Sequence, residues 1–464
     1  MAKRPLGLAG SKKNKKQKTN TTEASTKPVS KEATPLSESG TPQPPVAGQE
    51  EIHIELEQND DLEDDFTQLK GLWNTYAKSS KENEILLNGI IHECDRLMRL
   101  TELSKPFEFY GIYALALSEL AIFQEEEDDT KRFEKIHEFF ESSLEFVQDG
   151  LSKYSGNKLL ELVKSKILFQ RIPLEYIAQL AITFNSDDDD DEKKNKKNKN
   201  DFLLKYDTPV DLDQILSQAK TLYQPDVSNV LSKNLSLEIL QSFNDLLDIV
   251  DNFGCEKIYL DEGLDSDDEE EETKLQMYSQ SLSSNHPLYS LAQKSSENYS
   301  WLLENLENLH EKISSNEIQD TNFDKKILKT AGGIYMRMAF PHIDAYTEFA
   351  FDDDDDDEDD DDDDVKKDNK KLSAQDEQSM RDNQAKAIDH LQKAKNNLFA
   401  SMREDEPEDW ANYSECLIEL GNLHEIDSKE QQQFYKEAEQ LLTKANKATN
   451  GKYQDILNNL LTDN

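Results

Sequence analysis

Cysteine is almost missing from this chain: three in 464 residues, Cys94, Cys255 and Cys416. They lie far apart, with no CxxC pair and no Cys/His cluster, which excludes a disulfide framework and a thiolate zinc site and implies a reducing compartment, cytosol or nucleus. Glycine and proline are also scarce, 15 and 13, and ten of them fall before residue 49. So few breakers across the remaining length point to helix. Long apolar runs are lacking, and the start MAKRPLGLAG is charged with no apolar stretch behind it, so neither secretion nor a membrane span is expected. Positive charge is in deficit, 53 Lys and Arg against 97 Asp and Glu, a net charge of −44. A field of that sign repels a phosphate backbone, which excludes unaided nucleic-acid binding.

What is present is unevenly placed. Acidic residues crowd into 60–65, 125–129, 187–192, 261–272 and 352–364; outside these runs acids and bases nearly balance. A run such as Asp352 to Asp364 cannot be helix, because like charges one turn apart repel and aspartate is a poor interior residue. It is expected to be a solvated loop. Residues 1–60, rich in Lys, Ser, Thr and Pro, have nothing to bury and are expected to be disordered. Within them Lys12, Lys13, Lys15, Lys16 and Lys18 form the run KKNKKQK, the pattern a nuclear import receptor reads. The second lysine run, Lys193 to Lys199, follows directly on acids that neutralise it and reads as a solvated loop.

Helical periodicity covers most of the rest. Phe109, Ile112, Tyr113, Ala116, Leu117 and Leu120 mark one face of a helix over 105–125, and Phe133, Ile136, Phe140, Leu144 and Val147 mark a second over 130–151 that pairs antiparallel with it. Further helices are predicted over 62–78, 82–101, 156–184 (bent at Pro173), 209–223, 232–253, 285–313, 322–349 (interrupted at Pro341), 374–402, 407–425 and 430–447. Small residues such as Gly421, Ala438 and Ala445, with aromatics beside them, suggest helix pairs in close approach, a degenerate tetratricopeptide-like pattern without a clean 34-residue period. The predicted class is therefore all-α: stacked antiparallel helix pairs in a helical-repeat array. The single alternating stretch, Ile52 to Leu56, reads as chain packing onto the first helix; addition to a partner's sheet edge is the other use of such a segment.

No chemistry follows from the motifs. His342-Ile343-Asp344 has the spacing of an iron-binding triad, with His390 or His424 as third ligand, but the surroundings are helical where such triads sit on sheet. His92-Glu93-Cys94-Asp95-Arg96 begins like a zinc-protease helix and carries arginine where the second histidine belongs. No phosphate-loop or nucleophile-elbow string is present, and Gly332-Gly333 sits among apolar helical residues. No enzyme, cofactor or metal is expected. Ser186 and Ser266, each followed by acids, are candidate phosphoacceptors for an acidophilic kinase.

Two non-enzymatic readings remain: a scaffold that binds a protein on its ordered helix faces, or an acidic chaperone that engages histones or ribosomal proteins through the polyanionic run. The opening AKRPLGL with the lysine cluster behind it, QLKGLWNTY (Gln68 to Tyr76), LNGIIHECDRLMR (Leu87 to Arg99) and the tetratricopeptide-like C-terminal third resemble the fungal enhancer-of-translation-termination family, which includes the nuclear negative regulator of a prolyl-hydroxylase-like dioxygenase. The resemblance implies an all-helical nuclear scaffold that binds a 2-oxoglutarate- and iron-dependent dioxygenase of the ribosomal prolyl hydroxylase type. It also implies an effect on translation termination and stop-codon readthrough, contact with the termination machinery, shuttling with the cytoplasm, and help in carrying the partner into the nucleus. The iron belongs to the partner. The expected organisation is a basic tail to residue 60, a helical region 61–260, an acidic linker 261–273 and a helical-repeat region 274–464 with an acidic insertion at 352–371.

Overall fold

The computed structural model describes residues 65–185 (without 80 and 101), 202–253, 282, 284–315, 320–351 and 374–462. The lysine cluster 12–18, the alternating stretch 52–56, Ser186, Ser266, Cys255, the linker 261–273 and the acidic runs, apart from 125–129 and Asp65, lie outside the described residues.

The described chain is all helix, without a strand. In order the α-helices are α1 (Asp65–Lys78), α2 (Glu84–Arg99), α3 (Phe107–Glu119), α4 (Asp129–Lys153), α5 (Lys158–Arg171), α6 (Ala178–Asn185), α7 (Leu212–Leu222), α8 (Val230–Asp251), α9 (Tyr289–Gln293), α10 (Ser295–Ser314), α11 (Thr321–Phe351), α12 (Ala374–Ser401), α13 (Pro407–Asn422), α14 (Lys429–Ala448) and α15 (Gln454–Thr462). Local chemistry starts many of them. Asn83, Asp128, Asn157, Asp211, Asn229 and Ser428 each accept a hydrogen bond from a first-turn amide that would otherwise lack a partner. The acidic turn 125–129 thus ends in a cap, its carboxylates beside the positive end of α4. None of the described helices is long and apolar enough to cross a membrane.

Four expectations are corrected. Proline does not break α11: Pro341 lies exposed inside a continuous helix, held by packing along its other side. At Pro173 the chain widens into a π-turn, Ile172–Ile177, in which the Ala178 amide reaches back to the Pro173 carbonyl, so α5 runs on into α6. The stretch 285–313 divides at Lys294 into α9 and α10, and a further helix, α15, follows α14 beyond the predicted set. Finally, the stripe on α3 is less than half of what that helix buries: Tyr110, Gly111, Ala114, Leu115, Ser118 and Glu119 are enclosed too. Neighbours on several sides surround it, and α5 and α13 are interior in the same way.

Neighbouring helices pair antiparallel. In α3 and α4, Tyr110 meets Lys153 and Ser143 donates to the Ala114 carbonyl at 2.8 Å. In α11 and α12, Lys325 reaches the Met402 carbonyl while His342 meets Asn383. In α13 and α14, Lys444 covers Trp410 and Tyr435 bonds Asn422. By contrast α8 and α11 run in the same direction, joined by Lys233 to Asp320 (2.7 Å) and Arg337 to Asp248 (3.2 Å). Two apolar cores result, one from Leu69 to Ile334 and one from Met336 to Leu460. Helix α11 passes through both and so couples them.

Candidate partner-binding surface

Of the histidines offered as iron ligands, two come together. His342 donates through Nδ1 to Asn383 Oδ1 at 3.0 Å, and its ring lies parallel to that of His390 at 6.0 Å. Burial pushes the His390 imidazole below its ordinary pKa, helped by the Lys393 ammonium and His342. His424 instead stacks on Phe434 at 5.5 Å. Among the described residues no three His, Cys, Asp or Glu are grouped to hold a metal. Arg96 pairs with Glu93 at 2.7 Å on α2. Cys94 and Cys416 are buried thiols whose pKa burial raises, so neither is a ready nucleophile. Gly332 allows α11 to touch Leu398 of α12, a packing duty with no phosphate role.

Several buried polar centres were not legible beforehand. Lys81, at φ 58° between α1 and α2, donates to Glu119 (3.0 Å) and to Glu238 on α8, which also pairs with Lys166 at 3.2 Å. Burial opposes ionisation of Glu238, but the two ammoniums outweigh it and hold the carboxylate well below its ordinary pKa. At the π-turn, Arg171 and Glu175 pair at 2.6 Å, and His137 bonds Glu175 at 2.8 Å. That bond chiefly raises the His137 pKa. These partners are 38 to 157 residues apart apart from the Arg171 pair, too far for any local pattern to join them.

The C-terminal hairpins are locked by one carboxylate. Asp409, 4% exposed in the first turn of α13, accepts from Lys329 of α11 at 2.8 Å and from Arg403 Nε at 2.7 Å. Next to it Trp410 is buried, its indole N–H on the Arg403 carbonyl at 3.0 Å. Over one side of α13, Lys395 of α12 reaches the Phe434 ring of α14 at 5.1 Å, so α12 and α14 border a groove along α13. Lys395 and Phe399 of α12 form one wall; Phe434, Glu437, Leu441 and Lys444, at helical spacing on α14, form the other. Tyr413 lies between them, 5.7 Å from the Phe399 ring and donating to Glu437 at 3.2 Å. Phe399 itself is 60% exposed. A second cleft, bordered by α4, α5 and α7, is broad, open and lined by Glu141, Glu145, Gln148 and Lys164, unlike the enclosed apolar pockets that hold small molecules.

Paired helices with a rigid grooved surface define an all-α helical-array protein. The chain belongs to the Nro1 family, described as "Nuclear pore complex subunit Nro1", whose model matches residues 1–461. It is 39% identical over 481 residues to "Enhancer of translation termination 1" of Kluyveromyces lactis, covering 99% of each chain. It is 38% identical over 473 residues to the protein of that name in Saccharomyces cerevisiae, covering 99% of this chain and 100% of the other. A solved structure described as "The hypoxic regulator of sterol synthesis Nro1 is a nuclear import adaptor" superposes with a TM-score of 0.45 at 15% identity, covering 85% of this chain and 93% of that one. The family resemblance noted in the sequence is thus established, and membership of a nuclear pore family agrees with the expected nuclear localisation.

Proposed function

We propose that the chain is a non-enzymatic adaptor that acts in translation termination. It binds a 2-oxoglutarate- and iron-dependent dioxygenase of the ribosomal prolyl hydroxylase type on ordered helix faces and enters the nucleus with it, Lys12, Lys13, Lys15, Lys16 and Lys18 being read by an import receptor. The observation that carries this reading is the end-to-end match to proteins named for enhancing translation termination. The dioxygenase follows from the family resemblance in the sequence, and the rigid helical array supports a preformed interface. A specific interface needs an apolar centre, whereas a polyaspartate run offers screened charge and loses entropy on ordering. Ser186 and Ser266 are the proposed phosphoacceptors beside the acidic runs.

The test is a chain lacking both 1–60 and 352–364, mixed with the dioxygenase and analysed by gel filtration with light scattering. A stoichiometric complex is expected, and it should persist at about 0.5 M salt, where the Debye length falls to roughly 4 Å. Loss of the complex on deletion or with salt would transfer the function to the polyanion and favour the acidic-chaperone reading.

A further inference from the structure

We infer that the groove between α12 and α14 is the docking site for a short acidic segment of a partner protein, with an apolar side chain of that segment seated beside Phe399. This deepens the adaptor reading and rests on it for the existence of a partner; it adds the surface and the chemistry of what lies there.

The first observation is apolar. Beyond Ile249 only two large hydrophobic side chains among the described residues are exposed, Phe399 at 60% and Ile426 at 59%. Phe399 lies beside Tyr413, near the middle of α13, and Ile426 in the turn that follows that helix. A lone exposed hydrophobe is unremarkable. Phe399, however, is fixed on a helix whose opposite side is buried, so an aromatic anchor is presented without an ordering cost.

The second observation is electrostatic and independent of the first. Many cations on packed helix faces have acid partners, Lys81, Lys166, Lys233, Lys329, Arg171 and Arg337 among them; Lys220 and Lys153 are satisfied instead by aromatic rings and by Asn298 or the Tyr110 hydroxyl within the fold. Lys395 and Lys444 do not pair with an acid among the described residues. Their ammoniums lie instead over aromatic rings, Lys395 5.1 Å from the Phe434 centroid and Lys444 3.7 Å from that of Trp410. Glu437, the one carboxylate of the α14 stripe, is engaged by the Tyr413 hydroxyl. A chain of net charge −44 therefore keeps two cations without a salt-bridge partner along one groove, against the single carboxylate of Glu437, and complementarity selects an acidic occupant. A nucleic acid does not fit, because its further phosphates meet the repulsive field of the rest of the protein.

The test uses the full chain and an array of ten-residue fluorescent peptides, each with one Leu, Phe or Trp flanked by Asp and Glu, against the same peptides with Lys in place of the acids. Anisotropy should report binding of acidic members and none of the basic ones. Phe399→Ser, and separately Lys395→Glu with Lys444→Glu, should weaken it at least tenfold while the helical dichroism spectrum is kept. Lys436→Glu, an equal charge change per residue at an exposed position off the stripe, should leave it intact. Equal binding of both peptide sets, retained binding in the groove variants, or an equal loss with Lys436→Glu overturns the proposal. A parallel pull-down of the dioxygenase separates the two readings. Retention by the unaltered chain and by the groove variants alike overturns the groove as the docking site and leaves the adaptor standing. Failure of the unaltered chain to retain it, with the peptide result as expected, removes the named partner and supports the groove chemistry.

Discussion

Replacing Gly421 by alanine is the most direct probe of how closely α13 and α14 approach. A Cβ at Gly421 would lie 2.8 Å from Tyr435 Cδ1 and nearer still to Cε1. The ring cannot simply swing away, because its hydroxyl donates to Asn422 Oδ1 at 2.7 Å. Overpacking of this kind costs about 1–3 kcal/mol, and losing the tyrosine bond adds about 1 kcal/mol. Against this, alanine in place of a helical glycine returns about 1 kcal/mol. The net is a destabilisation of roughly 1–3 kcal/mol. Gly333→Ala on α11 is the matched control: its site is exposed with nothing within 4 Å of the new methyl, so it should stabilise by about 0.5–1 kcal/mol. Thermal unfolding followed by far-ultraviolet dichroism should therefore shift in opposite directions for the two variants. In a Tyr435→Ala background, where the obstructing ring is gone, Gly421→Ala should become neutral or stabilising. If Gly421→Ala raises the melting temperature as Gly333→Ala does, the helices do not meet there and the packing of the C-terminal array is wrong.

Trp410→Asp should destabilise by about 3 kcal/mol or more, since a buried ring is lost and a charge is placed beside Asp409; an unchanged denaturation midpoint together with lost partner binding would make Trp410 a contact residue instead. The His137 pKa is raised in the folded state, above all by its hydrogen bond to Glu175, so its contribution is fully present below about pH 6.5, the unfolded value, and is lost as pH rises through the folded value. The stability gap between the unaltered chain and His137→Ala, measured by urea titration across that window, should narrow with rising pH; a widening gap refutes the assignment. Changing Lys12, Lys13, Lys15, Lys16 and Lys18 to alanine should move a fluorescent fusion toward the cytoplasm without altering the melting temperature, and an undiminished nuclear signal would count against the import reading.

Helix type and most helix positions could be read from the sequence by itself, because they depend on residues three and four apart and on caps within one turn. The apolar stripe on α4, the buried run Leu288, Leu291, Tyr299, Leu302, Leu306 and Leu309, and the close-packing role of Gly421, Ala438 and Ala445 were all visible that way. So was the family, since its segments are contiguous. Where the reading failed, tertiary contact overrode a local rule. Pro341 continues α11 because the packed side of the helix holds it, α3 is enclosed because helices surround it, and the nine residues of α15 carry too short a period to be noticed. The groove was beyond reach for the same reason. Phe399 meets Tyr413, and Lys395 meets Phe434, only after three helices fold back on one another. Nothing in the order of residues distinguishes Lys395 or Lys444 from the paired lysines elsewhere. Which cations find a carboxylate is decided by distances across helices, and those distances are a property of the packed array alone.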